Sequence, residues 1–201
     1  GDNKTGFYFW PRAERISDIA KALPLADTVV IQGGSLSCLK LALAASRLGK
    51  EVIWVNPQKE ILAGAVDRET ATMLYNIVGE SGIRVMNENA VVEILGDNDV
   101  KAIRLKSGKV IGAQMVFWGE TKPDLRLFKD TGLIFQERIP GDALGRTNFA
   151  NVFVAGSVRA VDASVAESEN SALMQEAEGA RVAQALLGQD LMELPALVPQ
   201  A

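Results

Sequence analysis

The chain has 201 residues, 48% of them hydrophobic and 23% charged, with a formal net charge of -4. That is enough apolar material for one buried core, or for a core with an appended segment, and it argues against a disordered chain. The acidic balance, with no Lys/Arg stripe, argues against a nucleic-acid partner, while one cysteine and no histidine exclude an intrachain disulfide, a His/Cys metal cage and an imidazole triad.

A reducing, cytoplasmic setting fits this composition. No apolar run approaches the roughly 20 residues that a membrane helix needs, and residues 1–4 carry no signal-peptide core. A start at Gly1 instead of methionine points to a processed, tagged or excised piece.

Residues 7–10, Phe-Tyr-Phe-Trp, predict a short strand, and residues 12–23 a helix with Ile16, Ile19, Ala20 and Leu23 on one face, closed by Pro24. Residues 29–32 read as a continuous apolar strand. The glycines after it make a turn, and residues 36–48 form a helix apolar nearly all round, as expected for burial against a sheet, which Gly49 ends. Residues 51–55 predict the next strand. Residues 66–80 predict an amphipathic helix with Val66, Met73 and Ile77 at helical spacing and Leu74 beside them; Ser81-Gly82 break it before a strand at 83–86. This order winds right-handed into a parallel sheet.

Three short alternating runs follow at 90–94, 100–105 and 109–111, separated by Gly96-Asp97-Asn98 and Ser107-Gly108, which predicts an antiparallel meander. Residues 115–118 predict a buried strand ending at Gly119, and residues 151–155 a further one ending at Gly156. The last element is a helix over 171–187, with Leu173, Ala177, Ala180, Val182, Ala183 and Leu186 apolar, stopped by Gly188. Glu167, Glu169, Glu176 and Glu178 read as a solvated helix face, and residues 194–201, with two prolines, as a loose tail.

The most informative stretch is Gln32-Gly33-Gly34-Ser35-Leu36-Ser37-Cys38. It has the layout of a dinucleotide-binding strand, turn and helix, with Ser35 and Cys38 where the G-x-G-x-x-G pattern places its second and third glycines. Gly33 would supply the tight turn, and the N–H groups after it would face a pyrophosphate at the helix amino terminus; a turn alone is the other reason for glycine there. Ser35 adds a Cβ at the closest phosphate approach. Cys38 reads as a small buried hydrophobe, or as a thiol activated by the helix terminus.

Asn56 ends the second strand where an acid would bind the ribose of NAD. It either hydrogen-bonds that hydroxyl without charge assistance or initiates a turn before Pro57. Lys59 nearby would lessen repulsion of a 2'-phosphate, so NAD and NADP both stay open. Trp54 and Trp118, near strand carboxyl ends, are core or rim residues on one reading and stacking platforms on the other.

In order and in local wording, residues 6–188 resemble the pyridine nucleotide-disulfide oxidoreductases, specifically the NADH-dependent rubredoxin, ferredoxin and nitrite reductase-like flavoproteins. Residues 7–12 resemble the arginine-containing lead into the NAD domain, residues 33–38 its glycine loop, and residues 49–52 with the following strand its second strand. Residues 116–119 with Pro123 resemble the end of that module, one residue of spacing longer. Arg146-Thr147 and residues 151–158 resemble the return strand, where a Gly-Asp pair contacts FAD; Ser157 here replaces the aspartate. Ala177-Glu178-Gly179-Ala180 resembles the helix that follows, and Lys40 stands where the family often has glutamate.

The resemblance implies an α/β fold: a Rossmann-like parallel sheet in three layers with a small antiparallel meander, plus a C-terminal strand and helix. It divides the chain into a lead-in from an FAD domain at 1–25, an NAD(P)-binding domain at 26–148, a return segment of the FAD-type domain at 149–188 and a tail at 189–201. It assigns cofactor contacts to Gly33, Gly34, Ser35, Leu36, Asn56, Lys59, Gly119, Gly156 and Ser157, with no catalytic side chain and no metal ligand. The implied cofactors are NAD or NADP, and FAD in the full-length protein, whose amino-terminal flavin motif is absent here; a redox protein is the implied partner, without a nucleic acid or a membrane.

Two functions follow. The chain is the nicotinamide-binding portion of an FAD-dependent NAD(P)H oxidoreductase, inactive alone; or it is a non-catalytic relative, a binding or assembly module, whose sites decayed at Ser35, Cys38, Asn56 and Ser157. A different Rossmann enzyme such as a methyltransferase fits less well, because the meander and the Ala155-Gly156 return strand are foreign to that architecture.

Overall fold

The computed structural model describes residues 4–10, 15–63, 65–119, 123–160 and 172–188. The chain divides into two compact units, Gly1–Glu120 and Thr121–Ala201.

Unit one runs β1 (Phe7–Phe9), α1 (Ile16–Ala22), β2 (Thr28–Gln32), α2 (Leu36–Arg47), β3 (Glu51–Val55), α3 (Arg68–Glu80), β4 (Arg84–Met86), β5 (Val91–Leu95), β6 (Ala102–Leu105), β7 (Val110–Gly112) and β8 (Met115–Trp118). Five strands form a parallel sheet in the order β1-β8-β2-β3-β4, and β5-β6-β7 form a separate antiparallel sheet. This is the expected Rossmann-like arrangement. The expected lead-in supplies β1 to the same sheet, as its edge strand beside β8.

Side chains alternate across the pleat, so each row of aligned residues belongs to one face. Tyr8, Phe117, Ile31 and Trp54 align across four strands and pack with Leu39 and Ala42 of α2, whereas Phe7, Val116, Val30 and Ile53 pack with Ile103 and Leu105 of the meander. With both faces covered, the central strands carry almost no polar residues, which is why they read as apolar runs. The Tyr8 and Phe117 rings stack at 5.7 Å, and the Arg15 guanidinium lies 4.8 Å from the Tyr8 ring centre. Burial raises the pKa of the Tyr8 hydroxyl, with the nearby Arg15 charge opposing it.

Several helix faces differ from expectation. In α1, Ile19 packs against the core with Ala22 and Leu23, while Ile16 and Ala20 are exposed; Pro24 sits in a tight turn over Leu23–Leu25. The start expected at residues 12–14 lies outside the described residues. In α2, only the stripe Cys38, Leu39, Ala42 and Ala45 is buried, and Leu36 and Leu48 face outward. In α3, Ala71 and Val78 are buried with Leu74 beside them, whereas Met73 and Ile77 are exposed. Val66 precedes the Asp67 cap and so is not on the helix at all.

Unit two has a core of Leu125, Leu133, Ile139 and Val154. Residues 123–148 therefore pack with the segment after them, and the two compact units meet at Glu120/Thr121. The strand expected at 151–155 does not form. That segment makes only the isolated bridge Arg146↔Phe153, because it runs beside irregular loop and not beside another strand; Val154 N–H donates to Gly145 O at 2.7 Å. The final helix, α4 (Ala172–Leu187), buries Val182, while Ala183 and Leu186 are exposed. Residue 171, the side chain of Leu173 and the tail 189–201 lie outside the description.

Among the described residues, no helix is long and apolar enough to cross a membrane, and no group of three His, Cys, Asp or Glu is placed to hold a metal.

Candidate functional site

The chain leaves β2 for β3 on one side and returns as β8 on the other. Such a reversal opens a crevice at the strand carboxyl ends, the usual ligand position in doubly wound sheets. Gly119 N–H, just after β8, donates to Gln32 O at 2.7 Å, and Gln32 Oε1 accepts from Val91 N–H at 2.8 Å, tying the end of β2 to the meander.

Gly33 begins the turn at φ 134°, a conformation that only glycine adopts without strain. Its N–H donates to Val55 O at 3.0 Å, and its carbonyl accepts from the indole Nε1 of the fully buried Trp54 at 2.6 Å. The turn is thus clamped to β3 from both sides. A Cβ on Gly34 would lie 2.8 Å from Gln58 Oε1 and 2.9 Å from Asn56 Oδ1, so a side chain there would have to displace the buried Asn56 amide. Ser35 caps α2, its Oγ accepting from Cys38 N–H at 3.4 Å, and Leu36 stands exposed at the rim. Among the described residues the N–H groups of Gly34 and Ser35 have no acceptor. They lie at the amino end of a 12-residue helix, where the dipole favours an anion.

Cys38 is fully buried, its Sγ 3.8 Å from Gln32 O, which is the packing reading of this residue. A Cβ on Gly119 would lie 2.2 Å from that sulfur. The close approach that the third glycine of the fingerprint normally permits is therefore kept, with the missing side chain moved across to β8.

Asn56 is also fully buried. Its Nδ2 donates to Glu60 O at 3.1 Å and to Asn87 Oδ1 at 2.9 Å, and its Oδ1 accepts from Gln58 N–H at 3.2 Å, a side-chain-closed turn. Lys59 is exposed and borders a cavity of about 190 Å³ lined also by Ile61, Ala71, Thr72 and Tyr75. Lys40 is exposed, and Trp118 is half-buried with its ring edge-on to Phe7 at 6.4 Å.

In unit two, Gly156 opens a tight turn over Gly156–Val158 at φ 72°. Its N–H donates to Glu178 Oε2 at 2.8 Å, Arg159 pairs with the other oxygen of Glu178, and Arg138 donates to Ser157 O. Glu178 is therefore not on a solvated face: its side chain is 14% exposed and holds the turn to α4. The expectation failed because an acidic run looks the same whether or not a loop arginine folds onto it. Glu176 is exposed, and Glu167 and Glu169 lie outside the described residues.

Sequence reasoning missed the parts played by Gln32, Gln58, Asn87 and Glu178. A polar residue closing an apolar strand was the available signal for Gln32; the others gave none.

The first turn fits a dinucleotide: it has two adjacent glycines, donor N–H groups and a helix terminus behind them. The second turn does not offer a flavin its Gly156 donor, which Glu178 already holds.

The family profile of the pyridine nucleotide-disulphide oxidoreductases matches residues 1–185. The chain belongs to this family. Members of the family depend on FAD and NAD(P)H. The chain is 27% identical over 139 residues to the nitrite reductase [NAD(P)H] large subunit of Klebsiella oxytoca, covering 69% of this chain and 14% of that protein. It is 25% identical over 158 residues to the ferredoxin reductase component of the chlorobenzene dioxygenase of Cupriavidus sp. (strain PS12), covering 78% of this chain and 38% of the relative. Among solved structures, the covalent putidaredoxin reductase-putidaredoxin complex superposes with a TM-score of 0.77 at 16% identity, covering 96% of this chain and 48% of the other, which shows the shared fold. The chain thus spans well under half the length of these curated relatives and about half of the superposed chain.

Proposed function

We propose that unit one is a nicotinamide-dinucleotide-binding module and unit two the return segment of a flavin-type domain in an FAD-dependent NAD(P)H oxidoreductase. The observation that carries the reading is the turn Gly33-Gly34-Ser35, with its two uncommitted N–H groups at the amino end of α2, at the point where the strand order reverses between β3 and β8. The chemistry, hydride donation, belongs to the nicotinamide; this chain's part is to grip the pyrophosphate through backbone N–H groups and to orient it. Hydride passing to FAD in the full-length protein, and a redox-protein partner, are supported by the family and by relatives named as ferredoxin reductases. A cytoplasmic setting belongs to the same reading, supported by the lone cysteine. Isothermal titration with NADH and NADPH tests the binding claim: saturable heat from at least one supports it, and none from either at millimolar nucleotide defeats it.

The Glu178 bond to Gly156 N–H favours a second reading, a non-catalytic relative serving as a binding or assembly module. A flavin absorption spectrum retained by the full-length protein through purification from its natural host would rule that reading out; purification without flavin would support it.

A further inference from the structure

We infer that Gln58, not Asn56, is the side chain that meets the ribose of a dinucleotide held at the glycine turn; this rests on the dinucleotide reading above. Asn56 occupies the position at the end of β3 from which a ribose is ordinarily bound. It is 0% exposed, and its amide already serves Glu60 O, Asn87 Oδ1 and Gln58 N–H. Turning it toward a ligand would leave those groups without a partner, a costly exchange for buried polar atoms. Asn56 is a positioning residue for its own loop.

Gln58 has the opposite character. It is exposed, and its backbone is fixed at both ends: the N–H donates to Asn56 Oδ1 at 3.2 Å, and the carbonyl accepts from Glu88 N–H at 3.0 Å. Among the described residues its carboxamide makes no hydrogen bond, yet it reaches the turn, with Oε1 2.8 Å and Cδ 3.1 Å from the Cβ that Gly34 lacks. The loop is rigid and the group at its tip is uncommitted, poised beside the backbone that would grip the pyrophosphate.

A carboxamide both accepts and donates, whereas a carboxylate only accepts. Gln58 can accept from a ribose hydroxyl and can equally donate to a 2'-phosphate. The site therefore takes NADH and NADPH with similar affinity.

The test is isothermal titration of NADH and NADPH into the full chain, wild type and three variants, with a thermal melt of each. Wild type is expected to bind both within about tenfold of each other. Gln58→Ala weakens NADH about three- to tenfold, the loss of one neutral hydrogen bond, and Gln58→Glu shifts the ratio toward NADH by about tenfold or more, both at unchanged Tm. Asn56→Asp lowers the Tm, because a buried carboxylate would face two oxygen acceptors, and leaves the NADH/NADPH ratio unmoved. Binding by wild type with an unshifted ratio in Gln58→Glu, or a ratio shifted by Asn56→Asp at unchanged Tm, overturns this inference alone. Wild type that binds neither nucleotide overturns the functional reading and this inference with it.

Discussion

Replacing Gly119 with alanine probes the compensation between β8 and α2. The new Cβ would sit 2.2 Å from Cys38 Sγ, where an ordinary carbon-sulfur contact needs roughly 3.6 Å or more. The deficit of more than an ångström falls on a fully buried sulfur, and Gln32 O is only 3.2 Å away on another side. Gly119 does not have a left-handed backbone torsion, so alanine meets no conformational penalty and the cost is steric alone. Overpacking of this kind costs about 1–3 kcal/mol. Removing the sulfur by Cys38→Ala lifts the 2.2 Å clash and leaves Gln32 O at 3.2 Å as the nearest atom, a tight contact that a shift of a few tenths of an ångström relieves, with Cys38 Cβ at 3.9 Å beyond it. Urea unfolding of the four proteins in the double-mutant cycle should give a favourable coupling of about 1–3 kcal/mol, Gly119→Ala being tolerated only in the Cys38→Ala background. An equal cost of Gly119→Ala in both backgrounds would refute the packing argument.

Trp54→Phe keeps most of the buried ring but leaves the Gly33 carbonyl without its donor, so the unfolding free energy should fall by about 1–3 kcal/mol and nucleotide affinity should fall with it; unchanged affinity in calorimetry would show that the turn does not need the clamp. Glu178→Gln retains an acceptor for Gly156 N–H but removes the ion pair with Arg159, whose side chains are 14% and 17% exposed, and a loss of about 1–3 kcal/mol is expected in denaturant melts of unit two; a loss no larger than that of Glu176→Gln would contradict it. Asp124, bound by the Arg126 guanidinium and backbone, has its pKa lowered to about 2, and Asp67 and Asp142 are lowered chiefly by backbone N–H donors of Thr70 and Arg146. Depressed carboxylates stabilise the fold above their unfolded pKa of about 3.9, and that stabilisation is lost as pH falls toward 2. The Tm should therefore decline between pH 5 and about 2, less steeply in Asp124→Asn; identical slopes would contradict the assignment.

The sheet of unit one was legible because strands covered on both faces appear as uninterrupted apolar runs, and the glycine turn because Gly33 must leave L-residue space. The meander was legible from its turn pairs. Helix faces were less so: α2 is apolar nearly all round, so composition could not say that Cys38, Leu39, Ala42 and Ala45 form its fully buried stripe. Unit two was the hardest part. Residues 151–155 have strand composition, but a strand needs a neighbour, and no periodic signal says that the neighbouring loop is irregular. In the site, Gly33 and Ser35 declared themselves by motif, whereas the exchange between Cys38 and Gly119, and that between Asn56 and Gln58, joins positions far apart in chain or in role. Such pairings exist only once the chain has folded.

A dinucleotide gripped by this protein would be held by the backbone between β2 and α2. Amide nitrogen-proton NMR spectra of the chain titrated with the tighter-binding of NADH and NADPH test this most directly. Saturable shifts are expected, centred on the Gly34 and Ser35 N–H resonances, with the Trp54 indole N–H moving alongside them. Saturable shifts confined to other residues, or none at millimolar nucleotide, would contradict it.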